Sequence, residues 1–201
     1  MTTADARFDR RTGAMRFTMP LADHLLAPRL GGVAPALDDA QRAALERAGL
    51  LAGGELIERL QAARHAAMLA RQTVRISRLG GEARGWLGEH ALALTVGRGE
   101  GWVELLVSTP PFFADTVARL VELGPRPTPA PGATPDAADS RWQVAVDPAR
   151  GAPAGPGPRS LDVLDTEAGL WQVQPGDAGI DEMSPISSER LWRALTSMAA
   201  R

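Results

Sequence analysis

Three histidines, His24, His65 and His90, are the side chains best suited to bind a metal or carry a proton near neutral pH. No two of them stand two or four residues apart, so no HxH, HxxxH or HExxH pair exists. Each therefore reads as a surface or core histidine, and no metal site is expected. With no cysteine in the chain, thiolate ligands, disulfides and thiol nucleophiles are excluded. Ser108, Ser184, Ser187 and Ser188 fall at predicted helix starts, where capping accounts for them. None sits in a strand-to-helix elbow of the kind a serine nucleophile requires. Gly97-Arg98-Gly99-Glu100-Gly101 has the glycine density of a phosphate loop, but it joins two strands and no Lys follows. Without a helix N-terminus aimed at it, the segment is a hairpin turn.

Asp162 and Asp165 lie three apart near a strand end, so their carboxylates need not share a site. Catalysis would need a pocket assembled in space from Asp162, Asp165, His90 or Arg84. No catalytic residue, cofactor-binding residue or metal ligand is assigned, and an enzyme is not expected. Trp86 is different. It lies between Gly85 and Leu87 and two residues from Arg84. If Gly85 and Leu87 face the core, Trp86 and Arg84 face outward, as an interface anchor does. The competing reading has a helix covering that face. Arg84, Trp86 and Glu89, with the polar side of the long helix after Gly54, form the expected partner-binding surface.

These residues sit on elements that the periodicity places. Residues 1–13 are polar and aperiodic and read as a loose tail. Ala14–Met19 reads as a strand, and Pro20 opens a short helix carrying Leu21, Leu25 and Leu26. Leu37-Asp38-Asp39 marks the start of a second helix that ends at Gly49. After Gly53-Gly54 a helix over about 55–70 aligns Leu56, Leu60, Ala63 and Ala67, with Glu58, Gln61 and Arg64 opposite. The period then changes to two. Thr73–Leu79, Glu82–Leu87, Ala91–Val96 and Trp102–Val107 form an antiparallel meander, with Gly80-Gly81 as its first turn. A helix entered at Ser108-Thr109-Pro110 closes it.

Pro125-Arg126-Pro127-Thr128-Pro129-Ala130-Pro131 reads as an extended spacer. Strands at Trp142–Val146, Ser160–Leu164 and Leu170–Val173 follow, and Met183-Ser184-Pro185 is read as the cap of a last helix. The two halves repeat one scheme, so the fold expected is α+β: a pseudo-twofold pair of antiparallel meanders, each closed by a helix, with N-terminal helices. The organisation is a tail at 1–13, a first lobe at 14–124, a linker at 125–139 and a second, shorter lobe at 140–201. The two lobes form one unit.

Composition narrows the class. The chain has 201 residues, a net charge of −2, 44% hydrophobic and 23% charged residues, as globular domains have. That charge leaves no footprint for nucleic acid. Every basic side chain apart from His is Arg, and Lys, Asn and Tyr are missing, a pattern that follows from a GC-rich genome. No apolar run is long enough to cross a bilayer, and the N-terminus carries no signal-peptide pattern. A cytoplasmic protein without membrane contact is expected.

The order of elements resembles the EspG family, cytosolic chaperones of type VII (ESX) secretion in actinobacteria. The resemblance is carried by Arg16–Leu21, Ala44–Leu51, Leu56–Leu60 and Gln72–Ser77, then by Gly124–Pro127, Trp142–Val146, Asp162–Gly169 and Ser184–Leu195. It is collinear over residues 14–199 and rests on loose apolar patterns. It implies a pseudo-twofold α+β fold and a chaperone that keeps a secreted helical protein, PE/PPE-like or WXG-like, soluble for export. This chain departs from the family in one respect. Where relatives carry a helical bundle between the lobes, it has only the Pro-rich linker. That shortening puts PPE-type recognition in question and leaves a surface for a different substrate or for a homodimer. The alternative is another binding module, such as an immunity protein for a secreted toxin.

Overall fold

The computed structural model describes residues 4–26, 35–78, 80–130, 132–135, 140–149, 157, 159–177 and 180–199. The chain begins with β1 (Ala6–Asp9), β2 (Ala14–Thr18), α1 (Met19–Leu26) and α2 (Asp39–Ala48). The small hairpin β3 (Leu51–Ala52) and β4 (Glu55–Leu56) leads into α3 (Glu58–Met68). The first meander is β5 (Gln72–Arg78), β6 (Gly81–Leu87), β7 (Leu92–Gly97) and β8 (Trp102–Ser108), followed by a 3-10 turn at Pro110–Phe112 and by α4 (Phe113–Leu120). The second is β9 (Ser140–Pro148), β10 (Arg159–Thr166), β11 (Gly169–Pro175) and β12 (Asp181–Ile186), followed by α5 (Ser188–Met198).

Ten strands form one antiparallel sheet in the order β1-β2-β8-β7-β6-β5-β9-β10-β11-β12. The first strands of the two meanders, β5 and β9, pair in the middle, with Val74 opposite Val146 and Ile76 opposite Val144. The meanders therefore run outward from a shared seam, and each sends its closing helix, α4 or α5, back over one face. This is the expected α+β architecture with its pseudo-twofold arrangement.

Strand alternation divides the core between the two faces. Val74, Ile76, Leu87, Leu94, Trp142, Val144, Val146, Leu161 and Val163 are buried beneath Phe113 and Val117 of α4 and Leu191 and Leu195 of α5. On the other face Met15, Phe17, Val103, Leu105 and Ala93 are buried beneath α1, α2 and α3. Each fully buried Leu or Val side chain stabilises the fold by about 1.5–3 kcal/mol. In β6, Gly85 has no room for a side chain: a Cβ there would lie 1.9 Å from the Ala93 carbonyl oxygen.

Four expectations are corrected. Residues 6–9 are a strand, not a tail: Ala6 stands opposite Phe17 and Phe8 opposite Met15. Two apolar residues separated by Arg7 were too short a pattern to read. The first meander turn involves Gly80, and Gly81 already pairs with Arg78 inside β6. Residues 181–186 form β12, and the cap of the last helix is Ser187, whose hydroxyl accepts from the Arg190 amide. Pro185 misled because it suits a first helical turn. It is tolerated here because β12 is an edge strand that needs no hydrogen bond on its outer side.

The fourth correction concerns the Pro-rich segment, which packs instead of spanning open space. Arg126 reaches the buried Asp165 carboxylate at 2.6 Å. Pro129 is buried, and the Trp171 indole donates to the Ala133 carbonyl at 3.5 Å. The segment thereby passes around the β10–β11 turn, from the α5 side to the face bearing Leu164, Trp171 and Val173. Its described residues carry no helix.

Candidate functional site

The face shared with α1–α3 is covered at both ends and, among the described residues, carries no packed element in the middle. At one end α3 packs on β6, β7 and β8, and at the other the Pro-rich strap reaches Trp171. Between them the pleat sets mostly polar side chains in register. One row across the sheet is Thr95, Arg84, Arg75 and Ala145, and the next is Ala93, Trp86, Thr73 and Asp147. A third is Glu82, Ser77, Gln143 and Asp162.

Thr73, Arg75, Glu82, Arg84, Trp86 and Asp147, with the backbone of Val74 and Gly85, line a depression of about 330 Å³ in this face. Trp86 is half-buried, with part of its ring against the α1–α3 core and the rest toward the depression. Arg84 lies 2.7 Å from Glu82, and Arg75 lies 3.9 Å from the same carboxylate. The Arg84 hydrogen bond holds the Glu82 carboxyl below its ordinary range, and Glu82 in turn raises the Arg84 guanidinium. Further along, Arg141 takes Asp162 in a two-pronged contact at 3.0 and 2.7 Å and also reaches Asp181 at 3.0 Å. These contacts raise its pKa, the Asp162 hydrogen bond most of all. Gln143 donates to the same Asp162 at 2.5 Å. That cluster sets one guanidinium against two carboxylates, whereas the arginine pair sets two guanidiniums against the one carboxylate of Glu82.

Of the residues singled out in sequence, Arg84 and Trp86 line the depression together. Glu89 does not: it lies in the β6–β7 turn and pairs with Arg71 at 3.0 Å. The polar side of α3 is partly engaged within the fold. Gln61 donates to the Leu56 carbonyl and Arg64 to the Pro35 carbonyl, each at 2.6 Å. Burial lowers the Arg64 pKa. Arg75, Glu82, Thr73 and Asp147 were missed. Alternation in β5 put Arg75 and Thr73 outward, but only the register brings them beside Arg84 and Trp86.

The four residues that could have assembled a catalytic pocket do not converge. Arg84 lines the depression, Asp162 belongs to the Arg141 cluster, Asp165 is buried against Arg126 on the other face, and His90 is exposed in a turn. Among the described residues no three His, Asp or Glu side chains gather as metal ligands. No helix among them is long and apolar enough to cross a membrane.

No protein-family model matches the chain. No curated protein matches it in sequence. In fold the chain is similar to the Mycobacterium tuberculosis type VII secretion system chaperone EspG5, solved in complex with a PE25–PPE41 dimer. The TM-score is 0.58 at 13% identity, over 92% of this chain and 95% of that one. The likeness is one of fold, and it runs through both meanders.

Proposed function

We propose that this chain is a type VII secretion chaperone that holds a helical export substrate against the depression in the middle of its sheet. The observation that carries the reading is the fold shared with EspG5 over nearly the whole of both chains. The exposed face supports it. A half-buried Trp beside Arg, at the centre of a polar sheet flanked by packed elements, has the composition of an interface anchor. On this reading Arg84 and Trp86 touch the partner, and Glu89 contributes only through the turn it braces.

Such a protein binds without chemical turnover. It acts in the cytoplasm, covers the apolar tip of a PE/PPE-like or WXG-like protein, and releases it for export. Co-expression tests this. A type VII substrate from the native host that aggregates alone is expected to become soluble with this chain and to elute with it in a one-to-one complex. A substrate whose solubility is unchanged contradicts the reading.

A further inference from the structure

Arg75 and Arg84 are direct cross-strand partners, and both line the depression. Like charges placed directly opposite one another repel and weaken the pairing. The only carboxylate in contact with them among the described residues is Glu82, and the two share it unequally. Arg84 hydrogen-bonds it at 2.7 Å, whereas Arg75 at 3.9 Å is beyond hydrogen-bond distance. Both arginines are largely exposed, at 62% and 72% of their side-chain surface. A guanidinium has five donors in a planar fork, so most of this pair's donor capacity has no partner among the described residues.

The next row supplies an apolar surface and a sign. Trp86 stands two residues from Arg84 along β6, a spacing of about 7 Å. Asp147 closes that row, and its carboxylate makes no ion pair among the described residues. A helix laid along these strands presents side chains three or four residues apart at about 5–6 Å. One helical turn therefore reaches both rows.

We propose that the depression receives a carboxylate from a helix of the partner protein. This Asp or Glu enters between Arg75 and Arg84, and an apolar residue one turn away packs on Trp86. Asp147 disfavours a second acid at the apolar position. The inference rests on the proposed function for the partner's being helical; the preference for an acid comes from this chain's own arginine pair.

A displayed library of helical peptides, selected on the immobilised full chain and in parallel on the R75Q/R84Q variant, tests it. Both positions are exposed, and matching circular dichroism and melting curves for the two baits establish that the variant is folded. The expected result is enrichment on the native chain of peptides with Asp or Glu three or four residues from Leu, Ile, Met or Phe. Their affinity should fall roughly tenfold or more on the variant, as loss of charge-assisted contacts entails. Enrichment without an acid, equal binding to the variant, or no enrichment above a blank surface overturns the inference. If the chain still solubilises its type VII substrate while the library shows no acid preference, the inference fails and the proposed function stands.

Discussion

Arg126 and Asp165, 39 residues apart in sequence, meet at 2.6 Å with the carboxylate side chain only 3% exposed. The contact fastens the Pro-rich segment, whose described residues form no helix or strand, to the second meander. Removing one partner leaves a buried charge unmatched. Arg126→Ala is expected to lower unfolding free energy by about 3 kcal/mol, measured by urea denaturation. Asp165→Asn should cost less, because the guanidinium it leaves is 29% exposed and reaches water, whereas the carboxylate left by Arg126→Ala does not.

At the β10–β11 turn, Gly169 has φ of +142°, and a Cβ there would lie 2.4 Å from Pro129 Cγ and 2.8 Å from the Pro127 carbonyl. Gly169→Ala must both strain the backbone and displace the strap. A loss of about 2 kcal/mol is expected, together with faster proteolytic cleavage within residues 126–135. Unchanged cleavage would show that the strap does not depend on this contact.

Three of the five tryptophans should separate into two classes. Trp142 and Trp171 are each 1% exposed, and truncation to Ala is expected to cost about 3–5 kcal/mol. Trp86 is half-buried at the rim of the depression. Trp86→Ala should leave a folded protein with a smaller stability loss, yet weaken substrate binding strongly. Calorimetric melting beside a binding titration distinguishes the two classes, and collapse of the Trp86→Ala protein would make that ring structural.

Glu104 provides a pH signature. Burial opposes its ionisation, but hydrogen bonds from Arg16 at 3.0 Å and Arg98 at 3.2 Å more than offset that, so its pKa lies below the ordinary 4.5. A carboxylate depressed in the folded state stabilises fully above its unfolded value, and that stability is lost as pH falls through the folded value. Stability is therefore expected to decline as pH drops below 4.5, and Glu104→Gln should flatten that part of the curve while lowering stability at neutral pH. Parallel acid slopes for the two proteins would contradict this.

Much of the architecture is legible in the sequence because period-two segments such as Thr73-Val74-Arg75-Ile76 expose one face and bury the other. The first meander, three strands of the second and the closing helices follow from that pattern and from turn residues. Features set by pairing partners are not legible. Ala6 and Phe8 become a strand only because Phe17 and Met15 lie opposite. Pro185 is compatible with a helix start or an edge strand, and the neighbouring β11 decides. The same holds at the site: Trp86 and Arg84 could be placed on one face from alternation alone, but Arg75 meets Arg84 through the register of the β5–β6 hairpin, and Asp147 joins from β9 across a wide gap in sequence.

Affinity capture of the full chain from its native host, with mass spectrometry of what co-purifies, tests the central claim most directly. Enrichment of a WXG-type or PE/PPE-type protein in stoichiometric amount, reduced with the Trp86→Ala variant, is the expected result. Reproducible capture of a toxin domain in its place, or of no type VII substrate at all, contradicts the account.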